Sequence, residues 1–110
     1  MSETTEPRSR ADDVVVTDDH DEGRYEAHLD GQLAGVAAYR LSDGRIVFTH
    51  TEVDDAFEGQ GIGGRLVRGA LDDVRGRNLQ VVPRCPFVRS FIERHPEYAD
   101  LLEPPSPGAA

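Results

Sequence analysis

Along residues 24–30 the chain alternates: Tyr25, Ala27 and Leu29 are apolar, and Glu26, His28 and Asp30 stand between and after them. Successive side chains of an extended strand point to opposite faces, so a period of two predicts a strand with one buried and one wet face. A short apolar run at 13–17 (DVVVT) predicts a strand before it. Asp30-Gly31 and Asp43-Gly44 are two-residue hairpin signals, because the tight turn that suits a twisted hairpin needs positive φ at both central residues. They predict further strands at 33–41 and 45–53, which continue the antiparallel set. In the last strand Ile46 and Phe48 fall on the same alternation as His50 and Glu52, so a line of side chains that starts apolar is expected to turn polar.

The period then changes. Ile62, Leu66, Val67, Ala70, Leu71 and Val74 recur at helical spacing, with Arg65, Arg68, Asp72 and Asp73 on the other side and Gly76 placed to close the helix. Residues 79–82 predict a short strand cut off by Pro83, and because it follows a strand–helix crossover it is expected to run parallel to 45–53. Pro86 suits the first turn of a second helix with Phe87, Val88, Phe91 and Ile92 as its apolar face, and Pro96 ends it. The order β-β-β-β-α-β-α is an α/β (α+β) arrangement: a single mixed, mainly antiparallel sheet with helices packed on it. Residues 1–12 are polar and 103–110 contain three prolines. Both are expected to be disordered tails around one domain at 13–102.

Composition narrows the function. No run approaches the ~18 apolar residues of a membrane span, and the N-terminus lacks the apolar middle of a secretory signal. Cys85 is the single cysteine, so no internal disulfide can form, which fits a reducing compartment; the cytoplasm is the expected location. A formal charge of −9 sets the long-range field against nucleic acid and anionic lipid, and neither is expected as a partner. Arg65, Arg68, Arg75, Arg77, Arg84, Arg89 and Arg94 all lie in the second half, leaving room for a local anion site or for solvated helix faces. No Cys/His pair has ligand spacing, and Asp18, Asp19, Asp21 and Glu22 read as a solvated turn, so no metal is expected.

The candidate chemistry centres on positions 59–64, GQGIGG, directly before the first helix. A helix N-terminus presents unpaired N–H groups that attract anions when side chains leave the approach open. One or two glycines would serve a tight turn, and four point to an anion. A phosphate-binding P-loop needs Gly-Lys-Ser/Thr, which Gly63-Gly64-Arg65-Leu66 lacks. Gly59, Gly61 and Gly64 have dinucleotide-motif spacing but follow an antiparallel meander rather than the first strand of a parallel sheet.

The run Glu58-Gly59-Gln60-Gly61-Ile62-Gly63 resembles the Q/R-x-x-G-x-G/A signature of the GNAT N-acetyltransferase superfamily. With HTEV at 50–53 and CPFVRSFIERHPEY at 85–98, residues 14–102 resemble its small YjdJ-like branch. The resemblance implies an acetyl-coenzyme A-dependent transfer of an acetyl group to a primary amine of a small molecule or protein. Strand 45–53 would splay from 79–82 so that Val53 offers main-chain hydrogen bonds to the pantetheine arm. Gly59, Gln60, Gly61, Ile62, Gly63 and Gly64 would wrap the pyrophosphate, with Arg65 or Arg68 reaching a phosphate. Glu58 stands where the signature carries Gln or Arg, which leaves that contact to backbone groups. Only residues 18–23 connect the first two strands, where larger members carry two helices, so the acceptor side is open. For proton transfer, His50 and Glu52 form the preferred base pair, the alternative being a sheet histidine beside a solvated carboxylate. Cys85, framed by Pro83 and Pro86, either carries the acetyl group in a second route or is a small buried residue. Tyr98 either protonates the departing thiolate or packs its ring with the hydroxyl satisfied. The rival reading is a non-catalytic acyl-coenzyme A-binding or protein-interaction module.

Overall fold

The computed structural model describes residues 13–102, and the tails expected at 1–12 and 103–110 lie outside them. Five strands form one sheet in the order β1 (Val15–Asp19), β2 (Arg24–Leu29), β3 (Gln32–Ser42), β4 (Arg45–Val53) and β5 (Gln80–Pro83). All neighbours are antiparallel except β4 and β5, which run parallel as the crossover requires. Helix α1 (Ile62–Gly76) and helix α2 (Pro86–Arg94) pack on it. The expected architecture is the one observed.

Both hairpins turn as their sequences dictate: φ is 53° and 78° at Asp30 and Gly31, and 45° and 80° at Asp43 and Gly44. Strand β1 begins two residues later than the apolar run suggested, and the acid cluster is not wholly a solvated turn, since Asp18 and Asp19 belong to the strand. Asp18 is tolerated there because its carboxylate accepts from the Tyr39 hydroxyl and pairs with Arg77 at 3.1 Å.

Tyr25, Ala27 and Leu29 turn one face of β2 into the core, where they meet Ile62, Leu66, Val67, Ala70, Leu71 and Val74 of α1. On the opposite face Glu26 holds Arg24 at 2.9 Å and His28 at 3.6 Å. Helix α1 crosses β1 at Gly69, where an added Cβ would lie 2.8 Å from the Cβ of Val16. Gly76 does not close α1 as expected. It is the last helical residue, and Asn78 takes the left-handed conformation at φ 59°, a role open to asparagine because its short polar side chain tolerates that region. In α2, Pro86 occupies the first turn and Val88, Phe91 and Ile92 are buried, but Phe87 departs from the expected apolar face and is 40% exposed. The helix ends before Pro96, with the His95 Nδ1–H donating to the Phe91 carbonyl at 2.9 Å. A 3-10 segment, Pro96–Leu101, then returns Tyr98 and Leu101 to the core, and Arg75 pins it through a two-pronged bond to Asp100 at 2.7 and 3.0 Å.

The chain's three tyrosines share one arrangement. Each is buried and donates its hydroxyl to an aspartate: Tyr25 to Asp73, Tyr39 to Asp18 and Tyr98 to Asp72. Burial first, and the neighbouring carboxylate second, push all three phenols above the ordinary tyrosine value. The folded state therefore favours the neutral phenol. That stability is whole below pH about 10 and is lost as pH rises past it. An alkaline titration is expected to show phenolate absorbance appearing in one step together with loss of far-UV circular dichroism. A tyrosine ionising at its ordinary pH, with the fold intact, would contradict this.

Candidate active site

The β4–β5 register runs from Arg45 opposite Gln80 to Phe48 opposite Pro83, and there β5 ends. A last tie follows, from the Cys85 amide to the Phe48 carbonyl at 2.9 Å. Strand β4 continues alone on that side to Val53.

Just past the divergence β4 contains a bulge. Phe48 pairs with Tyr39 and His50 pairs with Ala38, which leaves Thr49 as the extra residue. One added residue reverses the alternation that follows. His50 and Glu52 therefore do not share a face with Ile46 and Phe48, contrary to the plain reading of the sequence; Thr51 and Val53 take their place. Exposure follows the change, since Ile46 and Phe48 are each 1% exposed whereas the side chains of His50 and Glu52 are 61% and 68% exposed. The two polar residues remain together, with His50 Nε2 3.0 Å from Glu52 Oε2. The main chain is turned as well. The Asp54 N–H donates to the Ala34 carbonyl across β3 at 2.8 Å, so the N–H and C=O of Val53, one residue earlier, point to the side that β5 has vacated.

The chain then turns into α1. Asp54 caps a 3-10 turn, Asp55–Phe57, by accepting the Ala56 N–H at 2.9 Å. Gly59 and Gly61 take left-handed φ values of 82° and 78°. Gly63 meets a different demand: an added Cβ would lie 2.7 Å from Cζ of Phe87. At Gly64 an added Cβ would sit 3.9 Å from Phe91, an ordinary contact. The chain's own geometry thus accounts for three of the four glycines and places no demand on Gly64. Among the described residues, no side chain caps the start of α1 and its first turn holds no acid, so the amide cluster keeps its positive character. The Oε1 of Gln60 is buried with no hydrogen-bond partner among them.

Val53, Phe57, the loop glycines and Phe87 enclose a cleft of about 370 Å³, with exposed Glu58 on its lining. Across Val53 lies a second of about 490 Å³, lined by Leu33, Gly35, Val36, Glu52, Asp54 and Asp55 among others. At the divergence Cys85 is 3% exposed, and its Sγ lies 3.2 Å from Thr51 Oγ1. Thr51 was not legible as a site residue, because only the bulge turns it to this side.

Tyr98 is placed differently. Its hydroxyl donates to Asp72 at 2.7 Å and accepts from Arg68 at 3.3 Å, and its ring lies 5.8 Å below each of the Arg68 and Arg75 guanidinium groups. Asp72 stands ten residues beyond Ile62, roughly 15 Å along α1. The structure does not bring Tyr98 together with Cys85, Thr51 and His50, and its hydroxyl is satisfied where it packs. Arg68 is drawn to the same cluster and to Glu97 at 3.7 Å. Arg65 lies exposed on the first turn of α1, next to the loop.

Among known proteins, a family model described as GCN5-related N-acetyl-transferase matches residues 24–101. Protein NATD1 of Mus musculus is 30% identical over 110 residues, covering 94% of this chain and all of the mouse protein. Protein NATD1 of Homo sapiens is 35% identical over 72 residues, covering 63% of this chain and 64% of its own. A GCN5-like protein from Staphylococcus aureus, solved by NMR, superposes with a TM-score of 0.63 at 23% identity, over 86% of this chain and 93% of that one. Ard1 from Thermoplasma volcanium gives 0.54 at 18% identity, over 68% and 57%. These two share the fold.

Proposed function

We propose, from the premise that the chain belongs to the GCN5-related N-acetyltransferase family, that it binds acetyl-coenzyme A where β4 outruns β5 and transfers the acetyl group to a primary amine of a small molecule or protein. The observation that carries this reading is the coincidence of three features in one cleft: the free edge of β4, an uncapped helix start and a loop lined by glycines. A ligand that fits must offer amides to a strand edge and an anion to a helix start. Coenzyme A does both.

The residues present fit it. Val53 offers its main chain to the pantetheine arm, and the amides of Gly59, Gln60, Gly61, Ile62, Gly63 and Gly64 face the pyrophosphate, with Arg65 beside them. Gln60 holds a buried polar atom that a bound amide would satisfy. Glu58 adds a negative charge to the lining, which leaves the grip to main-chain groups.

The acceptor amine enters from the open face of the sheet, past His50 and Glu52. With Nε2–H donating to Glu52, the imidazole keeps a lone pair on Nδ1 and takes the proton released as the amine attacks the thioester carbon. Replacing His50 by alanine is expected to lower kcat by about 100-fold with coenzyme A affinity unchanged. An unaltered kcat would remove His50 from the mechanism.

Contact with Thr51 favours a second route through Cys85. There the acetyl carbon passes from the coenzyme A sulfur to Cys85 Sγ, whose proton goes to the departing thiolate; the amine then attacks that carbon, the bond to Sγ breaks, and the amine's proton returns to Cys85 as its thiol. Intact mass after mixing with acetyl-coenzyme A, without acceptor, separates the routes: an acetyl adduct lost in Cys85→Ala supports the second. The decisive experiment for the whole reading is calorimetric titration with coenzyme A followed by thiol release across a panel of primary amines. No binding would overturn the site. Binding without release would leave a non-catalytic carrier of the ligand.

A further inference from the structure

We infer that Phe87, on the same cleft as Phe57, is an aromatic wall that grips the pantetheine arm of coenzyme A, so that affinity for the whole molecule depends on a side chain outside the glycine loop. The inference rests on the proposed coenzyme A site and adds to it a residue that recognises the arm rather than the phosphates.

Three observations carry it. Phe87 is 40% exposed, whereas Val88, Phe91 and Ile92 of the same helix are at most 3% exposed, so the core does not account for its position. Its ring is nevertheless held: Cζ, Cε2 and Cε1 would lie 2.7, 3.3 and 3.4 Å from a Cβ on Gly63, so the ring meets the start of α1 tip first. Finally, Phe87 and Phe57 line the same cleft as Val53 and the glycines, which puts apolar surface between the strand edge and the helix amides.

The chemistry of the occupant matches that order. A diphosphate on exposed amides competes with water and is screened by salt. The arm next to it carries a gem-dimethyl group and a run of methylenes, whose transfer out of water against an aromatic ring adds binding that salt does not weaken. Gly63 is then required because any side chain there would push the ring out of the cleft.

The test compares coenzyme A with adenosine diphosphate, which has the diphosphate without the arm, by calorimetry on wild type, Phe87→Ala and Phe87→Leu. The alanine variant is expected to bind coenzyme A about tenfold more weakly, with adenosine diphosphate unaffected, and leucine should recover part of the loss. Unfolding midpoints without ligand identify any variant that fails to fold, and the leucine variant, which keeps an apolar side chain, then carries the comparison. Coenzyme A affinity unchanged in both variants overturns the inference, and so does an equal loss for both ligands, which would make the ring a prop for the loop. Failure of wild type to bind coenzyme A at all would instead overturn the underlying site.

Discussion

Gly64→Asp is expected to leave the unliganded protein at least as stable as wild type while lowering its affinity for coenzyme A by about 100-fold. Gly64 is the third residue of α1, and the space around it accepts a Cβ, with Phe91 3.9 Å away. A helical glycine costs roughly 0.5–1 kcal/mol relative to alanine, and an acid in the first turn gains roughly 0.3–1 kcal/mol from the helix dipole. The fold alone would therefore favour aspartate. Coenzyme A would not, because the new carboxylate would stand among the amides meant for its pyrophosphate. Gly64→Ala separates shape from charge and should show a smaller loss of affinity. Calorimetry with coenzyme A, paired with thermal unfolding of the free protein, reads both signs at once. Affinity retained in the aspartate variant would mean that the pyrophosphate lies elsewhere.

Gly69→Leu is expected to destabilise the fold by on the order of 3 kcal/mol, although leucine is much the better helix former. The reason is the crossing of α1 over β1. An added Cβ at Gly69 would lie 2.8, 2.9 and 3.0 Å from the Cβ, Cγ2 and Cγ1 of Val16, so a branched side chain must lift the helix from the edge strand. Strand β1 pairs with β2 alone, and the cheapest response is for it to peel away. In a domain of this size the loss corresponds to a fall of roughly 12–24 °C in Tm. Chemical denaturation should show the lower midpoint, with hydrogen exchange fastest in β1. A variant as stable as wild type would show that the crossing has slack.

Signals carried by neighbouring residues were legible in the chain, and those created by packing were not. Asp30-Gly31 and Asp43-Gly44 fixed their hairpins because the turn is decided by the two residues in it. The stripe from Ile62 to Val74 was equally plain, and all six of its apolar positions are buried. The stop of α1 was misread because glycine outranks asparagine as a left-handed cap, yet Gly76 comes before β5 can begin at Gln80 and Asn78 sits where the turn is needed. Purposes of the glycines were legible only in part. Positive φ at Gly59 and Gly61 belongs to the loop, but the closeness of Phe87 to Gly63 and of Val16 to Gly69 exists only after distant segments pack. The number of glycines was thus a poorer guide to a ligand than Gly64, the one of the four at 59–64 on which the fold places no demand. Nothing ahead of His50 announces the bulge, since RIVFTHTEV reads as an uninterrupted strand with no glycine or proline in it.

The extra residue in β4 also sets what length changes this site can bear. Without Thr49, Phe48 and His50 would become neighbours opposite Tyr39 and Ala38, so the far end would still hold its imidazole and carboxylate toward water and its hydroxyl and isopropyl group inward. What would go is the kink and the added twist that the unpaired residue puts into the strand. The strand can therefore spare a residue at this one point and keep its faces, and the spare residue serves the bend.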